Sequence, residues 1–193
     1  MKPQYKSNPN PNSLLNEGIK LHKQNKYDQA QSIYQQILSV NPNNFDALRL
    51  LGTIFAQKNQ PSLSLALLQR AIEINPTHAG LLNNYGNALK DLRRYDESLA
   101  IYNQAINLNP ENPDTWLNRG IALFEMKRYE EALHSYHKAI NLNPIHAEAL
   151  YNHSIMQLYT LHFSDGWIGY QLRWKIKNFD SKPLLTSKPT WKG

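Results

Sequence analysis

Asparagine-proline pairs recur along this chain at Asn41-Pro42, Asn75-Pro76, Asn109-Pro110 and Asn143-Pro144, each 34 residues after the one before. A fixed period of that size belongs to an array of short supersecondary units rather than to a globule with a single core. Other slots keep the same interval. Gly18, Gly52, Gly86 and Gly120 share one, and Ser154 continues it with another small residue. Tyr27, Tyr95, Tyr129 and Phe163 share a second, where Pro61 is the exception, and Tyr34, Leu68, Tyr102, Tyr136 and Tyr170 a third. Ala71, Ala105 and Ala139 follow Ile37 in a fourth, while Ala30, Ser64, Ser98, Ala132 and Gly166 form a fifth.

The spacing inside one period predicts two helices. Trp116, Gly120, Leu123 and Phe124 lie three and four apart, so they share one face of a helix from about Pro113 to Met126. Lys127 and Arg128 connect it to a second helix, whose Ala132, Tyr136, Ala139 and Ile140 share another face. That helix stops before Asn143-Pro144, because proline has no amide to donate and pushes the preceding residue out of the α region. Gly120 and Ala132 are expected where the paired helices cross, and Tyr129 near the turn. Four such pairs fit at 11–44, 45–78, 79–112 and 113–146, a degenerate fifth at 147–180, with tails at 1–10 and 181–193. Three or more stacked pairs are enough to bury the faces that one pair leaves wet.

Composition limits the functions open to such an array. Of its 193 residues 41% are apolar, with no cysteine, so disulfides and thiolate metal centres are excluded. The net charge of +6 resides wholly in the ends: Lys2 and Lys6 at the start, and Arg173, Lys175, Lys177, Lys182, Lys188 and Lys192 against Asp165 and Asp180 after residue 160. The body between is neutral, which argues against nucleic acid, whose phosphates call for a cationic stripe on the folded surface. No secretory leader or bilayer-spanning stretch is read, so the expectation is a soluble cytoplasmic protein without membrane contact.

The slots together resemble the tetratricopeptide repeat (TPR) family over most of the chain. The resemblance implies an all-α, right-handed superhelix of helix-turn-helix repeats, with a C-terminal capping helix and an extended tail. Its first helices would line a concave groove for an extended peptide or partner helix.

Two residues before each small slot stand Asn16, Leu50, Asn84, Asn118 and Asn152. Asparagine has mediocre helix propensity, so its repetition here draws attention to the side chain. A primary amide carries donors and an acceptor, and a file of them can hydrogen-bond the backbone of an extended peptide with little regard to its sequence. The same residues could equally face water or tie one repeat to the next. The pattern resembles the asparagine ladder of O-linked N-acetylglucosamine transferases, which implies peptide binding, although Leu50 interrupts it. Arg49, Asn83, Asn87 and Tyr151 are neighbouring candidates. The cationic clamp of TPR domains that hold chaperone C-terminal carboxylates is missing: Leu15, Ile19, Leu50, Asp114 and Glu148 occupy the corresponding places.

Beyond Phe163 the pattern degenerates. Arg173 replaces the earlier alanine, and Trp167, Tyr170 and Trp174 fall at i, i+3 and i+7, as on one face of a capping helix. Gly166-Trp167, Tyr170 and Arg173-Trp174, with Pro189, Trp191 and Gly193, also resemble the junction between repeats and catalytic domain in bacterial TPR-containing glycosyltransferases. That resemblance implies a substrate-docking region whose nucleotide-sugar-binding domain is absent here. The chain offers no glycine-rich phosphate turn and no catalytic constellation of its own. His134 and His137 could share a metal at i, i+3, but no third ligand is apparent, so neither metal nor cofactor is expected. Asp96-Glu97 and Glu130-Glu131 start second helices, where acidic groups complement the helix dipole. The expectation is a noncatalytic module that binds a protein or an extended peptide, with the glycosyltransferase fragment as the alternative and a self-associating scaffold as a third reading.

Overall fold

A computed structural model describes residues 11–176. These form ten α-helices: α1 Pro11–Lys23, α2 Tyr27–Val40, α3 Phe45–Gln57, α4 Pro61–Ile74, α5 Ala79–Asp91, α6 Tyr95–Leu108, α7 Pro113–Glu125, α8 Tyr129–Leu142, α9 Ala147–Tyr159 and α10 Phe163–Tyr170, followed by a 3-10 turn over Gln171–Lys175. No strand occurs among the described residues. None of these helices is long and apolar enough to cross a membrane. The tails at 1–10 and 181–193, with Pro189, Trp191 and Gly193, lie outside the described residues.

Each 34-residue period uses the same local devices. The asparagine of each Asn-Pro pair is the C-cap of a second helix: Asn143 donates its amide to Ala139 O and leaves the helix at φ −140°. Its side chain then folds the chain over, since Asn143 Oδ1 accepts from Ile145 N at 3.2 Å; Asn41 Oδ1 does the same for Asn43 N and Asn75 Oδ1 for Thr77 N, both at 3.3 Å. At these three positions the asparagine acts as a turn former, and the proline behind it prevents the helix from resuming. First helices start on a side-chain cap: Asn44 Oδ1 accepts from Ala47 N, His78 Nδ1 from Leu81 N and Asn112 Oδ1 from Asp114 N. The turn inside each pair passes through a left-handed residue at the same interval: Asn25 (φ 59°), Asn59 (56°), Arg93 (59°), Lys127 (60°) and Leu161 (66°).

The chain divides after Arg93 into two compact units, which separates the two helices of the third repeat. In the unit made of α1 to α5, α1 packs on α2 and α3 on α4, and the first helices α1, α3 and α5 also touch in sequence. Ala30, Tyr34, Ile37, Ala47, Leu51 and Ile54 form one buried cluster, and Leu48, Leu68, Ala71, Leu81 and Ala88 another. In the unit that begins at α6, α7 packs on α8 and α9 on α10, with α7 also touching α9. Leu99, Tyr102, Leu117, Leu123, Ala132, Tyr136, Ala139 and Met156 are among the residues of its core. Tyr129 packs on Phe124 beside the turn, as its slot predicts, with ring centroids 5.8 Å apart.

The last pair corrects one expectation. Trp167, Tyr170 and Trp174 do not continue along one α-helical face, because α10 ends at Tyr170 and the backbone tightens into a 3-10 turn. Ala139 is wholly buried at the position equivalent to Arg173, a place where an unpaired guanidinium would be costly. Arg173 instead lies between two aromatic faces, 4.3 Å from the Tyr170 centroid and 4.1 Å from that of Trp174. The core end of the segment is closed by small residues: Gly166 lies against Leu158 and Gly169 against Ser154.

Candidate peptide-binding surface

The first helices carry all of the candidate residues, and each unit presents its own set. In the α1–α5 unit, Asn16 is exposed on α1, while Arg49, Asn84 and Asn87 are half-buried. Asn83 retains only 9% of its exposure, so its side chain belongs mainly to the packing of α5. Asn84 Nδ2 donates to Thr53 Oγ1 at 3.3 Å, and the same hydroxyl donates to Arg49 O at 2.9 Å. This relay ties α5 to α3 and fixes the direction in which the amide faces. It uses one of the two N–H groups, so the second N–H and the carbonyl stand outside that bond. Arg49 pairs with Asp46 through Nη2 at 3.1 Å, while its buried Nε has no hydrogen-bond partner among the described residues.

Leu50 has a different role from the one its place in the asparagine file suggests. With Ile19, His22, Lys23, Tyr27 and Gln57 it walls a recess of about 300 Å³ between α1 and α3. The rim is ordered by short bonds: His22 Nε2 meets Gln57 Oε1 at 2.8 Å, and the Tyr27 hydroxyl donates to Asn25 Oδ1 at 2.9 Å. An apolar wall with a lysine at the edge suits a single apolar side chain, not a backbone amide. His22 and Gln57 carry no mark in the repeat pattern. What brings them together is the contact between α1 and α3 across 35 residues of chain.

In the unit that begins at α6, Asn118 and Asn152 are half-buried on α7 and α9. Asn152 Nδ2 donates to Glu148 O of its own helix at 2.8 Å, which ties one N–H of the amide to the α9 backbone. Tyr151 stacks against Tyr170 at 5.6 Å, and its phenol is pushed above the ordinary value chiefly by burial and then by Tyr170. It is therefore a neutral ring with a hydroxyl, suited to packing and hydrogen bonding. Arg119 was not singled out by the repeat, yet it joins three helices: Nε donates to Asn103 Oδ1 at 2.9 Å and Nη1 to Ser135 Oγ at 2.6 Å. Asp114, the acidic residue that argued against a carboxylate clamp, meets His146 Nε2 at 3.0 Å. The acidic starts of second helices have specific partners as well, Glu97 with Arg94 and Glu131 with Arg128 through two bonds each.

His134 and His137 face different partners. The ring of His134 lies edge-on to Trp116, whereas His137 Nε2 stands 2.8 Å from His153 Nε2 on α9.

Repeated helix pairs with polar first-helix faces define a helical-repeat protein of the kind that presents surfaces to other chains. Family models described as TPR repeat or tetratricopeptide repeat match at residues 15–79, 67–100, 86–127 and 113–146. The chain belongs to the tetratricopeptide repeat family. No curated protein matches it significantly.

Among solved structures, PilF of Pseudomonas aeruginosa superposes with a TM-score of 0.74 at 22% identity, over 84% of this chain and 74% of that one. TTC0263, a thermophilic TPR protein from Thermus thermophilus, gives 0.73 at 18% identity, over 86% and 91% of the two chains. YrrB, described as a TPR protein with an unusual peptide-binding site, gives 0.65 at 18% identity, over 84% of each. At these identities the likeness establishes the fold, and the all-α TPR architecture expected from the repeat is the one observed.

Proposed function

We propose that the chain is a noncatalytic interaction module that binds an extended peptide or partner segment along its first helices. The observation that carries this reading is the Asn84–Thr53–Arg49 relay, which holds an amide in a defined direction on a first-helix face instead of leaving it to rotate in water. A fixed amide meets an extended backbone at low entropic cost, whatever side chains that backbone carries. The recess beside Leu50 adds a place for one apolar side chain, which would set the register of the bound segment. The peptide-binding site named for YrrB is consistent with this use of the fold.

The test is a display library of random extended peptides selected on the purified chain, followed by affinity measurement of the selected peptides on a variant with Asn84, Asn118 and Asn152 all replaced by alanine. Loss of binding with unchanged helicity is expected. Equal affinity for the variant would refute the asparagine file.

A second reading, docking region of a bacterial glycosyltransferase, rests on the resemblance of Gly166-Trp167, Tyr170 and Arg173-Trp174 to the junction segment. Its residues form a defined unit, with Arg173 between Tyr170 and Trp174 and Trp167 edge-on to Tyr170 at 5.5 Å. Genomic sequence downstream of codon 193 tests it: a transferase reading frame in phase supports it, and its absence removes it.

A further inference from the structure

His137 on α8 and His153 on α9 bring two imidazole Nε2 atoms to 2.8 Å, with ring centroids 4.7 Å apart. Sixteen residues separate them, so the juxtaposition is a product of packing between consecutive repeats. They border a recess of about 280 Å³ walled by Leu133 and Met156 and edged by Gln157, Thr160 and His162. His137 is exposed and His153 half-buried, so the pair is open on one side and braced on the other.

We propose that His137 and His153 form a two-histidine site for a borderline divalent transition metal, of which Zn²⁺ is the test ion. Imidazole nitrogen suits Zn²⁺, Ni²⁺ and Cu²⁺ and does not select Mg²⁺ or Ca²⁺. Two nitrogens at about 2.0–2.1 Å from a tetrahedral zinc lie about 3.3 Å from each other, so a small outward swing of the rings converts the observed contact into a chelate. In the metal-free pair one neutral ring donates its Nε2–H to the other. On binding, that proton moves to Nδ1 through solvent, so both Nε2 lone pairs face the metal and the rings stay neutral.

Among the described residues no cluster of three His, Cys, Asp or Glu is arranged for a metal. The two imidazoles supply two positions, and the recess beside Leu133 and Met156 leaves room for water at others. His134, one turn back on α8, is engaged with Trp116 and takes no part. The proposal is independent of the peptide reading.

The experiment is isothermal titration of Zn²⁺ into the full chain carrying no affinity tag, together with nitrogen-detected NMR of the histidine rings. One Zn²⁺ per chain is expected, with the His137 and His153 resonances shifting. His137→Ala and His153→Ala should each weaken binding by at least about tenfold, since loss of even an outer-shell partner of a ligand costs about that much, while His134→Ala leaves it unchanged. His153→Gln preserves a polar side chain between the helices, and circular dichroism checks that each variant is folded. Absence of heat and of ring shifts at millimolar Zn²⁺ would overturn the site. So would wild-type affinity in folded His153→Gln, or an equal loss in His134→Ala.

Discussion

The ring of Tyr136 lies directly on Gly120: a β-carbon placed on the glycine would stand 2.5 Å from Tyr136 Cε1 and 2.7 Å from Cδ1. The same relation links Gly18 to Tyr34 at 2.5 Å and Gly52 to Leu68 at 2.7 Å. Two of the repeating slots are thus one device, in which a large side chain on the second helix occupies the space the first helix leaves empty. Tyr34, Leu68 and Tyr136 are all buried within 1% of completely, so none can swing out into water.

Gly120→Ala should therefore destabilise the protein by about 1–3 kcal/mol through overpacking, in spite of alanine's better helix propensity. Gly80 provides the contrast, since an added β-carbon meets only His78, whose Cε1 would stand 3.4 Å away. Gly80→Ala should stabilise by up to about 1 kcal/mol. Urea titrations of the two variants check the opposite signs, and a Gly120→Ala protein as stable as the parent would refute the packing role.

Tyr34 carries a hydroxyl that is buried without a hydrogen-bond partner among the described residues. Removing it in Tyr34→Phe should stabilise the fold by about 1 kcal/mol, the size of an unsatisfied polar group. A loss of stability would show that the hydroxyl has a partner, such as an ordered water.

The same burial gives the protein an alkaline limit. It pushes the Tyr34 phenol from its ordinary 10.0 up to about 12, and the Tyr136 phenol is raised as well, by burial first and then by Glu125. Because the folded value is the higher one, the unfolded chain loses its proton first. The contribution is complete below about pH 10 and is lost as the pH rises through the folded value. Denaturation midpoints should fall between about pH 10 and 12, less steeply for Tyr34→Phe than for the parent. Identical slopes would contradict the assignment to Tyr34.

Leu161 occupies the left-handed turn position at φ 66° and is 73% exposed. An L-residue with a branched apolar side chain pays about 1 kcal/mol there, which glycine avoids and asparagine reduces. Leu161→Gly should raise the melting temperature by about 2–4 °C, and Leu161→Asn by less. Thermal melts followed by circular dichroism decide this, and a lower midpoint for Leu161→Gly would rule out backbone strain as the controlling effect at this turn.

His78 starts α5 by accepting the Leu81 amide on Nδ1 at 3.0 Å, and its ring packs on Phe45 at 5.5 Å. His78→Ala should cost about 1 kcal/mol, whereas His78→Asn keeps an acceptor for the cap and should recover most of it. Equal melting of both variants would assign the effect to the ring contact instead.

Periodic features were legible where a single residue type does a local job. The helix pair around Gly120 and Tyr136 and the placing of Tyr129 near its turn follow from the 34-residue and three-and-four spacing, and the helices appear where that spacing puts them; at Asn143-Pro144 the stop was legible but the turn-forming bond of the asparagine was not. The left-handed turn at Lys127 was hidden, because a lysine there carries no signal of its backbone angle. The breakdown of the helix before Trp174 was hidden too, since i, i+3, i+7 spacing reads the same whether or not the chain tightens.

For the candidate sites the division runs along contact distance. The residues themselves state that the chain is a stack of helix pairs with asparagines on its first helices, because repetition and helical period are properties of the chain taken in order. Whether Asn84 finds Thr53, whether Leu50 interrupts a ladder or walls a recess, and which histidine faces His137 depend on side chains brought together across neighbouring repeats. Those pairings lie 16 to 35 residues apart and are set by how one helix packs on the next, a geometry that no local pattern encodes.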